Sequence, residues 1–330
     1  MIIEAFAETK NVMKALLLFS FLLLLQLPLT AQRVEYPHPV RHISLNIEYQ
    51  PVKMAYMDVQ PAQPNGETVL LFHGKNFNGY YWKDVISFLS KNGYRVIVPD
   101  QVGWGRSDKP NIHYSFHLLA ANTKKLLDSL GITKVHLIGH SMGGMLATRF
   151  ALMYDQLVGK LILENPIGLE DYKTFVPYQP VEVQAVKERA ATFESYKKYQ
   201  QTYYPVWKPE YEQYAAAQAD ALNYGGKEQA AWANALTYQM IYEQPVVYEF
   251  RNLTQPTLII IGQEDRTVVG KDLLPKEVAA KHGHYPTLGK WLRSEIKNAK
   301  LVEMPGIGHI PHIEVPQQFE KEVVSFLKGK

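Results

Sequence analysis

The strongest constraint on what this chain can fold into is a rhythm. Short, almost continuously apolar runs are each followed by a loop and then by a helical stretch. Thr68 to Phe72, Arg95 to Pro99, Val135 to Ile138, Leu161 to Leu163, Thr257 to Ile261 and Lys300 to Glu303 read as buried strands. Most lack polar alternation, which marks strands covered on both faces, as in parallel sheets. Leu45 to Gln50 and Lys53 to Val59 look like an antiparallel pair that opens the array. Between strands, Ser115 to Leu130 carries Leu119, Leu126, Leu127 and Leu130 at near-helical spacing, with Gly131 where a helix C-cap is expected. The predicted class is α/β, a mostly parallel central sheet flanked by helices. A chain of 330 residues, 46% of them hydrophobic, can bury a core of that size.

The rhythm stops in the middle. Residues 169–253 contain no convincing strand and are rich in Ala, Glu, Gln, Lys and Tyr, so they are expected to form a helical lid inserted between two strands. The core is then residues 32–168 and 254–330. Twelve of the 21 tyrosines fall in the insertion, together with Trp207 and Trp232. A tyrosine joins a flat apolar body to a polar tip, which suits the roof of a half-wet pocket. The alternative use of the same rings is to pack the inserted helices on one another.

Charge and composition exclude several classes of function. Thirty-five Lys plus Arg stand against 32 Asp plus Glu, a net of +3, and the basic residues are scattered rather than striped. The footprint of a nucleic-acid binder is missing. The absence of cysteine rules out disulfides, thiolate nucleophiles and Cys-containing zinc sites. At the N-terminus Ala15 to Leu25 reads ALLLFSFLLLL, preceded by Lys14 and broken by Gln26 and Pro28. A spanning helix needs roughly 20 apolar residues, whereas a secretory core needs about 7–15. Residues 1–31 are therefore expected to be a signal peptide cleaved after Ala31, giving a periplasmic or secreted protein that stays membrane-anchored if uncleaved. Met1 to Val12 carries two acids and one base, while Met13-Lys14 makes a better leader start, so translation is expected to begin at Met13.

The most informative stretch is Val135 to Gly144, VHLIGHSMGG, where a buried strand runs through Gly139-His140-Ser141-Met142-Gly143 into a helix. A serine at such a turn is held in a cramped backbone conformation with its hydroxyl out of the sheet. The helix start behind it favours developing negative charge. Used otherwise, Ser141 would simply cap that helix. A serine hydroxyl needs a base that titrates near neutrality and a carboxylate to orient that base. His309 follows the last predicted strand on a loop at the sheet's C-terminal edge, where open α/β sheets bind ligands. His312 is its rival, and His140 is expected to point away from the hydroxyl. Asp265, in Gly262-Gln263-Glu264-Asp265 after the preceding strand, is the expected acid, with Glu264 and Asp272 as fallbacks.

With these residues in the order serine, aspartate, histidine, the chain resembles the α/β-hydrolase superfamily over nearly all of its expected mature length outside the inserted helices. Phe72-His73-Gly74-Lys75 is similar to the family's His-Gly turn. That resemblance implies an oxyanion hole formed by the backbone N–H groups of Lys75 and Met142, with Asn76 as a neighbouring donor. It implies a structural role for His73 and for Asp100 to Ser107, a D-x-x-G-x-G-x-S turn.

Ser141 at the elbow disfavours epoxide hydrolases and haloalkane dehalogenases, which use aspartate there. Carbon-carbon hydrolases of aromatic ring-cleavage products share G-x-S-M-G-G but usually place tryptophan after the histidine, where this chain has Ile310. Proline iminopeptidases typically carry Trp where Met142 stands, and monoglyceride lipases share the string GHSMGG. The expected function is a serine hydrolase cleaving a small to medium hydrophobic carboxylic ester. Its alternatives are carbon-carbon hydrolysis of a vinylogous diketone and a non-catalytic ligand receptor on the same scaffold. No metal or other cofactor is called for, because the elbow lacks a phosphate-cradling Gly-rich pattern. The expected partner is a small-molecule substrate, with no nucleic acid and no stable membrane insertion after processing. N-terminal sequencing of the exported protein should begin at Gln32; a sequence that still contains Leu16 to Leu25 would show that the segment is retained.

Overall fold

The structure, a computed structural model, describes residues 34–224 and 226–329. The expected leader at residues 1–31, with its cleavage point and Met13, lies outside the described residues. Eight strands form one sheet: β1 (Val40–Ile47), β2 (Gln50–Val59), β3 (Thr68–Phe72), β4 (Arg95–Pro99), β5 (Val135–His140), β6 (Val158–Glu164), β7 (Thr257–Gly262) and β8 (Ala299–Met304). Their order is β1-β2-β4-β3-β5-β6-β7-β8. The β1–β2 and β2–β4 pairs are antiparallel and all later pairs are parallel. Among the described residues nine helices of at least nine residues accompany them: α1 (Lys83–Lys91), α2 (Phe116–Ser129), α3 (Met142–Met153), α4 (Val181–Arg189), α5 (Phe193–Gln201), α6 (Glu212–Asn223), α7 (Lys227–Glu243), α8 (Tyr285–Glu295) and α9 (Pro316–Leu327).

The continuous apolar runs are explained by two-sided burial. Leu70, Phe72, Leu137, Leu161 and Ile259 point to one face and pack with Leu119, Leu127, Phe150 and Leu292 of α2, α3 and α8. Their neighbours Val69, Leu71, Ile138, Ile162 and Leu258 point to the other and meet Val85, Leu89, Phe319 and Val323 of α1 and α9. Each such side chain contributes about 1.5–3 kcal/mol when fully buried. The helix expected at Ser115 to Leu130 begins as read, since the Ser115 hydroxyl accepts from the Leu118 N–H and Gly131 follows the C-cap at φ +67°.

The opening pair differs from its expected boundaries. β1 ends at Ile47 because the chain turns at Glu48 and Tyr49, with φ of 49° and 63°. Two-residue hairpins of this kind favour Asn and Gly, so Glu-Tyr carries no turn signal. The insertion between β6 and β7 contains helices α4 to α7 and, among the described residues, no strand. Among the described residues no helix is long and apolar enough to cross a membrane.

Close backbone packing sets the geometry around β5. A Cβ on Gly143 would collide with the carbonyl of Phe72, and one on Gly139 with the carbonyl of Gly143. Helix α3 can therefore lie against the ends of β3 and β5 only because both positions lack side chains. Gly143→Ala should lower unfolding stability by about 2 kcal/mol or more in urea denaturation. A change under about 0.5 kcal/mol would show that the α3 to β3 contact yields freely.

Candidate active site

Ser141 joins β5 to α3 with φ 56° and ψ −121°, a region non-glycine residues seldom occupy. The strain is held by the flanking ladder. The Ser141 N–H donates to the Glu164 carbonyl, and its own carbonyl accepts from Ile167 and Gly144. The side chain makes no hydrogen bond that caps α3, so the capping use of this serine is not the one adopted.

On the same sheet edge, His309 Nδ1 and Asp265 Oδ2 lie 2.6 Å apart, and both side chains are essentially without solvent exposure. Asp265 Oδ2 also accepts from Asn165 Nδ2 at 2.8 Å, while Oδ1 accepts from the Thr267 N–H at 2.8 Å. Burial by itself raises the Asp265 carboxyl, but the attraction of His309 and these hydrogen bonds outweigh it and hold the group below its ordinary value. An ionised Asp265 fixes the proton of His309 on Nδ1, leaving Nε2 as an acceptor. Nε2 is buried and has no hydrogen-bond partner among the described residues. No hydrogen bond joins it to the Ser141 hydroxyl; such contacts commonly tighten only when substrate is bound.

Of the other two histidines of this region, His140 has both ring nitrogens engaged and His312 one. His140 Nε2 donates to the His309 carbonyl at 2.9 Å, and its Nδ1 accepts from the Tyr81 hydroxyl at 3.2 Å. Tyr81 in turn accepts from the Gly74 N–H at 3.0 Å. Burial holds His140 well below its ordinary pKa. His312, the rival base, pairs through Nδ1 with Glu164 Oε2 at 2.8 Å and stacks on Trp82. Burial pushes Glu164 up to about 7 and His312 down to about 3, so this pair prefers to be uncharged. The fallback acids pair with cations instead: Glu264 with Arg266 at 3.8 Å, and Asp272, at the rim of the cavity described below, with Lys187 at 3.6 Å, both at largely exposed side chains.

The turn after β3 faces the elbow. A Cβ on Gly74 would touch Ser141 Cβ at 3.2 Å. The Lys75 N–H makes no hydrogen bond among the described residues, and the Met142 N–H, at the first position of α3, lies outside the helical ladder. Both amides are therefore uncommitted. His73 is structural, its Nε2 accepting from the Gln101 N–H at 3.1 Å and its Nδ1 donating to the Gly74 carbonyl at 2.9 Å. Asp100 is structural too, receiving the Gly79 N–H, the Arg106 N–H and the Tyr36 hydroxyl.

Ser141 opens into a cavity of about 330 Å3 shared between core and inserted helices, with Lys75, Ile167, Glu188, Tyr196, Tyr203 and Val269 among its walls. The tyrosines divide between the two expected uses. Tyr196, Tyr199, Tyr203 and Tyr238 line the cavity, whereas Tyr204 stacks on Tyr211 at 4.3 Å with Trp207 edge-on.

Three residues here carry no sequence signal. Asn165, at φ 37°, clamps Asp265 and accepts the Gly262 N–H at 2.9 Å. Glu314 Oε1 accepts the N–H groups on either side of His309, from Gly308 at 2.9 Å and Ile310 at 3.4 Å. Tyr203, in the insertion, accepts the His309 N–H on its carbonyl at 2.8 Å and an Asn76 side-chain N–H on its hydroxyl at 2.8 Å.

A family model described as the alpha/beta hydrolase fold matches residues 67–316. The solved structure of a probable hydrolytic enzyme from Pseudomonas aeruginosa PAO1 superposes with a TM-score of 0.86 at 45% identity, covering 88% of this chain and 95% of that one. The 2-hydroxy-6-oxononadienedioate/2-hydroxy-6-oxononatrienedioate hydrolase of Paraburkholderia phymatum is 30% identical over 255 residues, 73% of this chain and 87% of that protein. An uncharacterized protein of Mycobacterium tuberculosis is 40% identical over 105 residues, 32% of this chain, and the match spans 30% of that relative's length.

The buried pair behind the elbow predicts a pH effect. Between the ordinary value of 4.5 and about 7 the folded chain keeps a proton on Glu164 that the unfolded chain has released. That contribution to stability is fully present below pH 4.5 and is lost as pH rises to about 7. His312, pushed down from 6.5 to about 3, works in the opposite sense, its contribution growing as pH rises towards 6.5. Glu164→Gln should therefore make urea-denaturation stability slope more steeply upward with pH across this window than in the wild type; an unchanged slope would show that the folded chain keeps no proton on Glu164 there.

Proposed function

The chain belongs to the alpha/beta-hydrolase family and is a hydrolase of that fold, and from that premise we propose that it is a serine hydrolase of carboxylic esters. Ser141 attacks the ester carbonyl, and His309 Nε2 takes the hydroxyl proton and returns it to the leaving alcohol. Asp265 steadies the imidazolium. The backbone N–H groups of Lys75 and Met142 hold the oxyanion, each contributing roughly 2.7–4 kcal/mol to the tetrahedral transition state. Water, deprotonated by His309, then adds to the acyl-enzyme and releases the acid, restoring Ser141.

The observation that carries this reading is the buried His309–Asp265 pair at 2.6 Å with Nε2 unengaged, on the sheet edge where Ser141 is held in strained geometry. In His312 the corresponding nitrogen is likewise buried without a hydrogen-bond partner among the described residues, but its partner Glu164 is pushed towards neutrality, so it supplies no comparable charge. The largely apolar walls given by Ile167, Val269 and Leu273 support a small to medium substrate with a hydrocarbon part. Helices α4 to α7 act as the lid over it, and the leader-like N-terminus supports export.

The Paraburkholderia relative favours a second reading, carbon-carbon hydrolysis of a vinylogous diketone by the same three residues. Both readings require the nucleophile. A fluorophosphonate probe should label Ser141, as located by peptide mapping. Ser141→Ala should lower turnover by a factor on the order of 10⁴ to 10⁶ with the melting temperature retained. Purified protein should turn over p-nitrophenyl esters faster than a ring-cleavage dienoate. Turnover of the dienoate alone would select the second reading, and labelling at another residue would overturn both.

A further inference from the structure

The cavity holds polar groups that ester hydrolysis does not use. Lys75 Nζ and Glu188 Oε1 face each other across it at 4.0 Å, with side chains only 15% and 14% exposed. That separation exceeds the 2.7–3.2 Å of a hydrogen bond. The Lys75 ammonium, which carries three donors, makes no hydrogen bond among the described residues, and burial lowers its pKa against the pull of Glu188. Glu188 Oε1 accepts from Gln184 Nε2 at 3.1 Å and Oε2 from Asn234 Nδ2 at 3.4 Å, so the carboxylate keeps its place and Oε1 retains a further lone pair. Tyr196, buried in the same wall, has a hydroxyl with no hydrogen-bond partner among the described residues.

We propose that the Lys75–Glu188 gap is a subsite for a hydroxyl group, so that the preferred ester carries a hydroxyl at the end of its hydrocarbon chain. The assignment rests on the ester-hydrolase reading and deepens it. An oxygen about 2.8 Å from both atoms spans the gap, accepting a hydrogen bond from Nζ and donating one to Oε1. A carboxylate can only accept there and would bring a second anion against Glu188. An ammonium can only donate and would face Lys75. An alkyl end leaves both charges without their new partner. Only a group that both donates and accepts, and carries no net charge, satisfies a wall that is already neutral as a pair.

The test compares p-nitrophenyl 6-hydroxyhexanoate with p-nitrophenyl hexanoate and the mono-p-nitrophenyl ester of adipic acid, each with its two longer and two shorter homologues. It uses the wild-type protein, Lys75→Met, Glu188→Leu and the conservative Glu188→Gln. The quantity read is the ratio of kcat/KM values within one preparation, so partial unfolding of a variant cancels. The wild type should favour the hydroxylated ester over the alkyl ester by about 10-fold or more at its best chain length, as expected for hydrogen bonds to charged groups. Lys75→Met and Glu188→Leu should each bring the ratio close to one, while Glu188→Gln, which can still accept, should keep part of the preference. A wild-type ratio near one, a ratio that survives both disruptive variants, or a preference for the carboxylate ester would overturn the assignment while leaving ester hydrolysis standing. Failure to hydrolyse any ester of the series while Ser141 is labelled would overturn the ester reading, and this subsite with it.

Discussion

The candidate site depends on a carboxylate that is kept charged where there is almost no water. Asp265 stands after β7, and its two oxygens collect hydrogen bonds from Asn165 after β6, from the backbone of Thr267, and from His309 after β8. Three strand ends are thereby joined through one ion. An isolated carboxylate at this depth would take up a proton; these donors are what prevent it. The same arrangement decides the tautomer of His309 and leaves its outer nitrogen as an acceptor. Orientation and protonation state thus have a common physical cause.

The neighbouring histidines show how much the partner matters. His140, His309 and His312 are all buried, and the ring of His140 lies 4.8 Å from that of His309 and 5.6 Å from that of His312. His140 spends both nitrogens on a hydroxyl and a carbonyl, and so becomes a neutral strut between the turn after β3 and the loop after β8. His312 meets Glu164, but that carboxylate has the backbone N–H of His312 and no side-chain donor comparable to Asn165 among the described residues, and burial drives the pair towards neutrality. Equal depth therefore gives unequal chemistry.

Much of this was legible in the sequence wherever the determinant is local. The runs at Thr68, Val135 and Thr257 announce themselves by continuous apolarity, and Gly139 and Gly143 announce a close backbone approach. Asp265 and His309 could be chosen because each follows a strand on the same edge, and the structure brings the two together. What remained hidden depends on partners distant in the chain. Asn165 looks like any loop asparagine until Asp265 arrives 100 residues later. Glu314 reads as a polar residue near a helix start, although it grips the loop of His309. The turn at Glu48 and Tyr49 was missed for a different reason: its geometry is imposed by the paired strands, against the preferences of its own residues.

Tyr203 gives the inserted helices a second consequence. It belongs to the insertion, yet its carbonyl tethers the His309 backbone and its hydroxyl tethers Asn76. An insertion swinging outward as one rigid flap would have to tear both moorings and loosen the imidazole it helps to seat. Ingress to the cavity is therefore best served by the rim around Lys187 and Asp272, whose exposed ion pair can part without disturbing the His309–Asp265 contact. The segment is anchored at one margin and free to breathe at the other.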